Sequence, residues 1–227
     1  DVDFDDWRIL DVDYVVVGRL VPADTDQYTI QFQVFDVLRG EQLLGYRQPA
    51  RKGNLRATSH RVADLIYKEL TGIEGIFSTR IAYVTATGVA GAQSYRLVVA
   101  DADGANARIL VESPEPIMSP SWSPDRSKLA YVGYERGRSA IYVHELRSGQ
   151  VKTLVSERGI NGSPAWSPDG TKMAVTLSFE SNPDIYVIDI ATGRRNRLTT
   201  HFGIDTEPAW SPDGKELLFP SDRGGTP

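Results

Sequence analysis

The sequence predicts a β-propeller carried behind a small α+β domain. One observation is a pentapeptide that recurs at a fixed distance: Trp122-Ser-Pro-Asp-Arg126, Trp166-Ser-Pro-Asp-Gly170 and Trp210-Ser-Pro-Asp-Gly214, each Trp 44 residues after the last. A short motif with a period of roughly 40–45 residues marks repeated four-stranded units arranged around a channel. A second is that each interval holds the same four runs of β character, separated by turn residues. A third is that residues 1–76 lack this period and read as alternating strands followed by one helix.

In that first part, 14–21 and 28–37 alternate apolar and polar residues, which predicts two strands joined by a polar loop around Pro22-Ala-Asp-Thr-Asp26. Residues 43–48 are read as a third strand. Residues 55–70 are read as a helix, because Val62, Leu65, Ile66 and Leu70 form one apolar stripe at i, i+3, i+4 and i+8. Asn54 is placed to cap its start, and Gly72 suits the left-handed position past its end. The junction with the repeats falls near 72–79, so the domains are read as 1–76 and 77–227.

The repeats 121–164 and 165–208 align run for run. Strand A ends at the Trp. Strand B covers 128–134 or 172–178, strand C 140–146 or 184–190, and strand D 151–155 or 195–199. The C strands read Ile-Tyr-Val-His-Glu-Leu and Ile-Tyr-Val-Ile-Asp-Ile, rich in β-branched and aromatic residues. Ser-Pro-Asp-Gly is a type I turn signal joining A to B, and Arg126 in place of the glycine is read as tolerable there. Arg-Ser-Gly149 and Ala-Thr-Gly193 join C to D as hairpins. An earlier unit at 80–111 has B, C and D with no A strand before it, and a fourth begins at Pro208-Ala-Trp210 and stops after 216–219. About three blades are therefore present, where closed rings need roughly four to eight. The remaining blades and the first unit's A strand are expected beyond residue 227. The start at Asp1, without an initiator Met, is read as internal or processed, which leaves room for a lost export signal.

Composition narrows the function classes. The net charge is −5, so no positive field gathers nucleic acid or an anionic membrane. There are no cysteines, hence neither a disulfide framework nor a thiolate centre. No apolar run reaches the roughly 18 residues of a membrane span. No nucleophile elbow, P-loop, dinucleotide fingerprint or zinc-protease helix occurs. His60, His144 and His201 lie far apart; His144 is read as structural or solvent-facing, His60 as a surface residue and His201 as a loop residue. Asp101-Ala-Asp103-Gly104 is read as a C–D hairpin turn, because the further acidic positions and closing Glu of an EF-hand are missing. These residues offer no candidate catalytic residue, cofactor site or metal ligand.

Topology selects the face that binds. In an A-B-C-D meander the A–B and C–D turns share one end, and here they are short and uniform. The B–C and D–A loops share the other end, and they vary: 115–119, 135–139, 157–163, 179–183 and 201–207. Variable loops on a rigid scaffold are where binding is concentrated. The D–A loops carry Met118-Ser119, Ile160-Asn161-Gly162-Ser163 and Ile204-Asp205-Thr206-Glu207. This mixture of apolar, amide, hydroxyl and carboxylate groups suits a protein interface better than a metal or acid–base site. The plain alternative is that these are ordinary solvated loops.

The same residues carry a resemblance. Ser-Pro-Glu-Pro-Ile-Met-Ser-Pro (113–120), Asn-Gly-Ser-Pro-Ala-Trp (161–166) and Asp-Thr-Glu-Pro-Ala-Trp (205–210), with the Trp-Ser-Pro-Asp-Gly motifs, resemble the TolB family of the Tol–Pal system. So do Asp13-Tyr-Val-Val-Val-Gly-Arg19 and the segment 70–84 that leads into the first blade. The pentapeptide alone is shared with peptidase propellers; the 70–84 segment is more specific. The resemblance implies a periplasmic, non-enzymatic scaffold whose complete propeller has six blades. It implies binding of the lipoprotein Pal at the channel mouth, of TolA through a segment before Asp1, and hijacking by colicins. It also implies a role in outer-membrane integrity and constriction at division, and some relatives hold a channel calcium ion. Carried over by motif, the Pal-facing positions are Met118, Ser119, Ile160, Asn161, Ser163, Thr206 and Glu207. Ile160 departs from the family, which often has His there, so the resemblance implies that a polar contact is either lost or replaced by apolar burial. Two other readings remain: the propeller of a prolyl-oligopeptidase-like serine peptidase, and a free-standing small-ligand propeller.

Overall fold

The computed structural model describes residues 3–89, 91–135, 137–180 and 182–225. The chain forms two compact units: one runs to Arg80 and includes Asp101–Ala105, the other comprises Ile81–Ala100 and Asn106 onward.

The first unit opens with a short helix that the sequence reading did not anticipate, α1 (Phe4–Ile9), whose N-terminal Asp3 side chain accepts the Asp5 N–H at 3.1 Å. Arg8 ties it down by donating Nε–H to the Val37 carbonyl at 3.0 Å, and Phe4 packs edge-on against Phe35. Three antiparallel strands follow as a meander, β1 (Tyr14–Asp24), β2 (Gln27–Asp36) and β3 (Glu41–Arg51). They run further than the alternation indicates. The expected polar loop shrinks to Thr25-Asp26, because Asp24 already faces Gln27 and Asp26 turns the chain with φ 58°. Phe32, Val34 and Ala50 are buried and share one sheet face by alternation and register. Helix α2 (Leu55–Thr71) packs against β3 and ends at Gly72, which adopts φ 74° and returns its N–H to the Lys68 carbonyl. Asn54 does not cap the helix as expected. Its side chain accepts the Arg51 N–H at 2.6 Å and closes the 3-10 turn Lys52–Asn54 ahead of the helix. His60 is half-buried rather than on the open surface, with Nε2 3.1 Å from Asp103 in the hairpin tip that groups with this unit.

The second unit holds the blades. The first is β4 (Arg80–Val89), β5 (Ala92–Asp101) and β6 (Arg108–Ser113). The second is β7 (Ile117–Trp122), β8 (Lys128–Gly133), β9 (Ala140–Glu145) and β10 (Val151–Val155). The third is β11 (Asn161–Trp166), β12 (Lys172–Leu177), β13 (Asp184–Asp189) and β14 (Arg195–Arg197), and the fourth begins with β15 (Ala209–Trp210) and β16 (Leu217–Leu218). The expected four-run meander is therefore present in the second and third blades.

Both faces of a middle blade are buried, and side-chain alternation divides them. Leu129 and Tyr131 of β8 face the first blade, packing with Leu97 and Val99. Ala130 and Val132 of the same strand face the third, packing with Met173, Val175 and Ile188. This explains the apolar runs at Leu129–Val132 and Met173–Val175 of strand B and at 141–143 and 185–188 of strand C. Each fully buried large aliphatic side chain contributes about 1.5–3 kcal/mol to the stacking.

The Trp of each motif links successive blades. Trp166 donates its indole N–H to the Ser121 carbonyl at 3.1 Å, and Trp210 repeats this on the Ala165 carbonyl at 3.1 Å. Trp166 is buried, whereas Trp122 and Trp210 keep part of their surface exposed. The A–B turn is held by its own side chains. Asp125 accepts from the Ser123 hydroxyl at 2.6 Å and from the Ser127 N–H, while Ser123 Oγ accepts the Lys128 N–H at 2.9 Å. Those hydrogen bonds, the Ser123 hydroxyl first, hold the Asp125 carboxyl down at about 2. Asp169 sits in the same cradle of Ser167 and Thr171. One expectation is corrected here. The fifth motif position is left-handed in all three copies, with φ 59° at Arg126, 70° at Gly170 and 72° at Gly214. Arg126 is thus held in a strained conformation.

Candidate functional site

Strand register fixes which loops share an end. Ile117 faces Gly133 and Asn161 faces Leu177, so each A strand starts where its B strand finishes. The D–A and B–C loops therefore emerge together. Strand β11 packs against β7 on one side and β15 on the other, so the A strands of successive blades stand side by side. The D–A loops consequently open onto one continuous arc.

Each A strand enters the arc through the same irregularity. In the second blade Met118 faces Val132 but Ser121 faces Ala130, which inserts one extra residue. In the third, Gly162 faces Thr176 and Ala165 faces Ala174, the same insertion. In the fourth, Asp205 bridges Ser221 and Ala209 faces Leu218, again one extra. At the bulge sits a non-glycine residue with positive φ, always followed by proline: Ser119 at 50°, Ser163 at 50° and Glu207 at 49°. Positive φ is uncommon for such residues and costs about 1–3 kcal/mol each. Bulges of this kind re-aim side chains at the margins of sheets.

The arc offers apolar surface beside polar groups. Met118 is 51% exposed, Ile160 49% and Ile204 48%. Ser119 and Glu207 are exposed, and Ser163 and Thr206 half-buried. Asn161 differs: it is 1% exposed, with its amide fully engaged. It donates to the carbonyls of Ser139 at 3.0 Å and Glu157 at 2.8 Å, and its Oδ1 accepts the Glu157 N–H at 2.8 Å. Asn161 therefore shapes the loop that presents Ile160 and offers nothing to a partner directly. One repeat later Asp205 is also fully buried, held by the Arg223 guanidinium at 2.6 Å. The buried anchors Ile117, Asn161 and Asp205 follow one another at the 44-residue period.

Two further exposed side chains lie on this face beyond the positions carried over by resemblance. Ile204 lies one period after Ile160, so the repeat itself marks it. Phe202 is 86% exposed, with its ring 4.1 Å from that of His201, and no spacing signal announces it. Among the described residues, no group of three His, Cys, Asp or Glu side chains is placed to hold a metal ion. Ion pairs at this end brace the loops: Arg197 joins Asp184 at 2.6 Å, and Arg195 joins Glu157 at 2.5 Å.

Face-to-face antiparallel blades with interblade Trp contacts, preceded in the chain by a unit of three strands and two helices, define a β-propeller protein with an α+β N-terminal domain. A family profile described as the TolB beta propeller domain matches residues 67–227, and one described as the TolB amino-terminal domain matches 1–43. The chain belongs to the TolB family. It is 51% identical over 162 residues to the Tol-Pal system protein TolB of Xanthomonas campestris pv. campestris strain B100, a stretch that is 71% of this chain and 37% of that relative. It is 50% identical over the same length to the protein of that name from Xanthomonas axonopodis pv. citri strain 306. The crystal structure of TolB from Acinetobacter baumannii superimposes with a TM-score of 0.93 at 40% identity, over 99% of this chain and 56% of that one. A putative TolB from Agrobacterium tumefaciens, at 17% identity and TM-score 0.53 over 92% of this chain and 70% of that one, shares the fold. The chain thus spans little more than a third of the curated relatives it matches.

Proposed function

We propose that the protein is a non-enzymatic scaffold of the Tol–Pal system, working in the periplasm, that binds the lipoprotein Pal through the arc of D–A loops. The observation that carries this reading is the repeated left-handed residue before proline at Ser119, Ser163 and Glu207. Strain kept at the same place in three successive blades is out of keeping with solvated connectors, and such strain clusters where ligands are held. The surroundings fit a protein partner. Met118, Ile160, Ile204 and Phe202 supply exposed apolar surface, while Ser119, Ser163, Thr206 and Glu207 supply polar contacts around it. Ile160 makes its contact by burial. Asn161 acts by holding that loop in shape. The names of the relatives place them in the Tol–Pal system, which supports the assignment of the partner. TolA binding, colicin import and constriction of the envelope belong to the same reading, and no cofactor is required for any of them.

The test is a calorimetric titration of the complete protein with the soluble domain of its own organism's Pal, run beside Thr206→Arg. Binding by the parent that falls by about tenfold or more in the variant, at unchanged thermal stability, is expected for a central contact. Absence of binding by the folded parent refutes the partner. Equal binding by the variant refutes the face.

A further inference from the structure

The three-stranded sheet of the first unit has a second face that the reading above leaves unused. Alternation and register place Val17, Gln33 and Gly45 in one cross-strand row on it, and Arg19, Gln31 and Arg47 in the next. The face is concave, with a volume of about 700 Å³ lined by Arg19, Gln31, Gln33, Gln42, Gly45 and Arg47 among others, none of them acidic. Gly45 keeps its floor open: a Cβ there would stand 2.7 Å from the Gln42 side-chain nitrogen. The amides are pre-ordered, with Gln42 accepting from Gln33 at 2.6 Å and Gln31 accepting from Arg19 Nε at 2.7 Å. Among the described residues, Arg19 has only that neutral partner and Arg47 has none. Arg51 follows on the same face, opposite Gln27.

We infer that this open sheet face binds an extended acidic peptide segment. Arg19 and Arg47 lie two strand spacings apart, about 10 Å, and Arg47 and Arg51 four residues apart, about 13 Å. Those distances are too long for one phosphate or carboxylate to bridge. They match carboxylates four residues apart, which stand on one side of an extended chain, each taken by a guanidinium in forked geometry. The ordered glutamine amides lie between, where a peptide backbone would pass.

The probe is a fluorescein-labelled peptide, acetyl-Glu-Ser-Thr-Ser-Glu-Ser-Thr-Ser-Glu-amide, titrated with the whole chain by anisotropy. Its counterpart with Gln for every Glu serves as control. The acidic peptide is expected to bind and the amide peptide not to. The paired substitution Arg19→Gln with Arg47→Gln is expected to weaken binding by about tenfold or more, as the loss of charge-assisted bonds predicts. Lys215→Gln, on a blade turn, leaves it within about twofold, the size expected of a removed surface charge. Arg19→Lys with Arg47→Lys recovers only part of the affinity, because the forked geometry is gone. Failure of the acidic peptide to bind the parent overturns the inference, as does undiminished binding by the paired Gln variant. Equal or tighter binding of a thymidine dodecanucleotide, lost in the same variant, shows that the face reads charge alone and overturns the peptide assignment. These outcomes are independent of Thr206→Arg, which lies in the other unit.

Discussion

Replacing Trp166 with alanine is the most direct probe of how the blades hold together. The side chain is 8% exposed and packs with Ala130, Val132, Ile141, Met173 and Ile188, drawn from two blades. A buried tryptophan removes about 150–250 Å² from water, worth roughly 4–6 kcal/mol at about 25 cal/mol per Å² as an upper bound. Truncations of this type cost about 3–5 kcal/mol in practice. The indole N–H to the Ser121 carbonyl at 3.1 Å adds a separable part, which Trp166→Phe isolates at about 1 kcal/mol. Urea unfolding of the propeller unit, followed by far-ultraviolet circular dichroism, is the assay. Trp166→Ala should lower the midpoint most, Trp166→Phe by about a third as much. Trp210→Ala should cost less than Trp166→Ala, because Trp210 keeps surface exposed and stands in the two-stranded β15–β16 sheet. A loss below about 1 kcal/mol for Trp166→Ala, or one equal to that of Trp210→Ala, refutes the claim that interblade burial of this residue stabilises the stack.

Two further changes test local readings. Arg126→Gly should stabilise by roughly 0.5–1 kcal/mol, since the left-handed conformation costs about 1–2 kcal/mol for a side-chain-bearing residue and glycine returns part of that as backbone entropy; a lower unfolding midpoint would count against strain at φ 59°. His144 is buried with Nδ1 unpartnered, and burial, aided by the Arg108 charge, pushes its pKa below the ordinary value of 6.5. The unfolded chain then binds the proton more readily, so stability is full above about pH 6.5 and declines as pH falls. His144→Leu should flatten the stability profile between pH 5 and 7, to be read as unfolding midpoints across that range, and an unchanged slope would show that the acid sensitivity comes from elsewhere.

The propeller was legible because its period is carried by residues with fixed mechanical duties. Trp at the end of strand A must reach the preceding blade, and Ser-Pro-Asp must build the turn from its own side chains, so these residues recur at 44-residue spacing whatever else changes. The first unit was less legible at its edges. Asn54 has the composition of a helix cap, yet the 3-10 turn before the helix claims its carbonyl oxygen. Helix α1 has six residues and no buried side chain, so no apolar stripe could announce it. Asn161 looked like a contact residue in sequence, because a buried amide and a solvent-facing amide read alike until the carbonyls of Ser139 and Glu157 are seen around it.

The left-handed bulges that carry the proposed interface were hidden by residue type. A left-handed position is sought in sequence through glycine, and the three bulges carry Ser119, Ser163 and Glu207 instead. Two conditions make this possible. Each bulge is gripped by a strand ladder on one side and by the neighbouring A strand on the other, as β11 is between β7 and β15. Immediately inward, a buried anchor, Ile117, Asn161 or Asp205, fixes the chain before the strained residue is reached. The backbone is thus over-determined by packing, and the conformational penalty is borne by the blades rather than relieved by glycine. A glycine would have served the turn equally well and would have presented no side chain. Serine and glutamate at the position add a side chain to the bend, and that is what the proposed interface draws on.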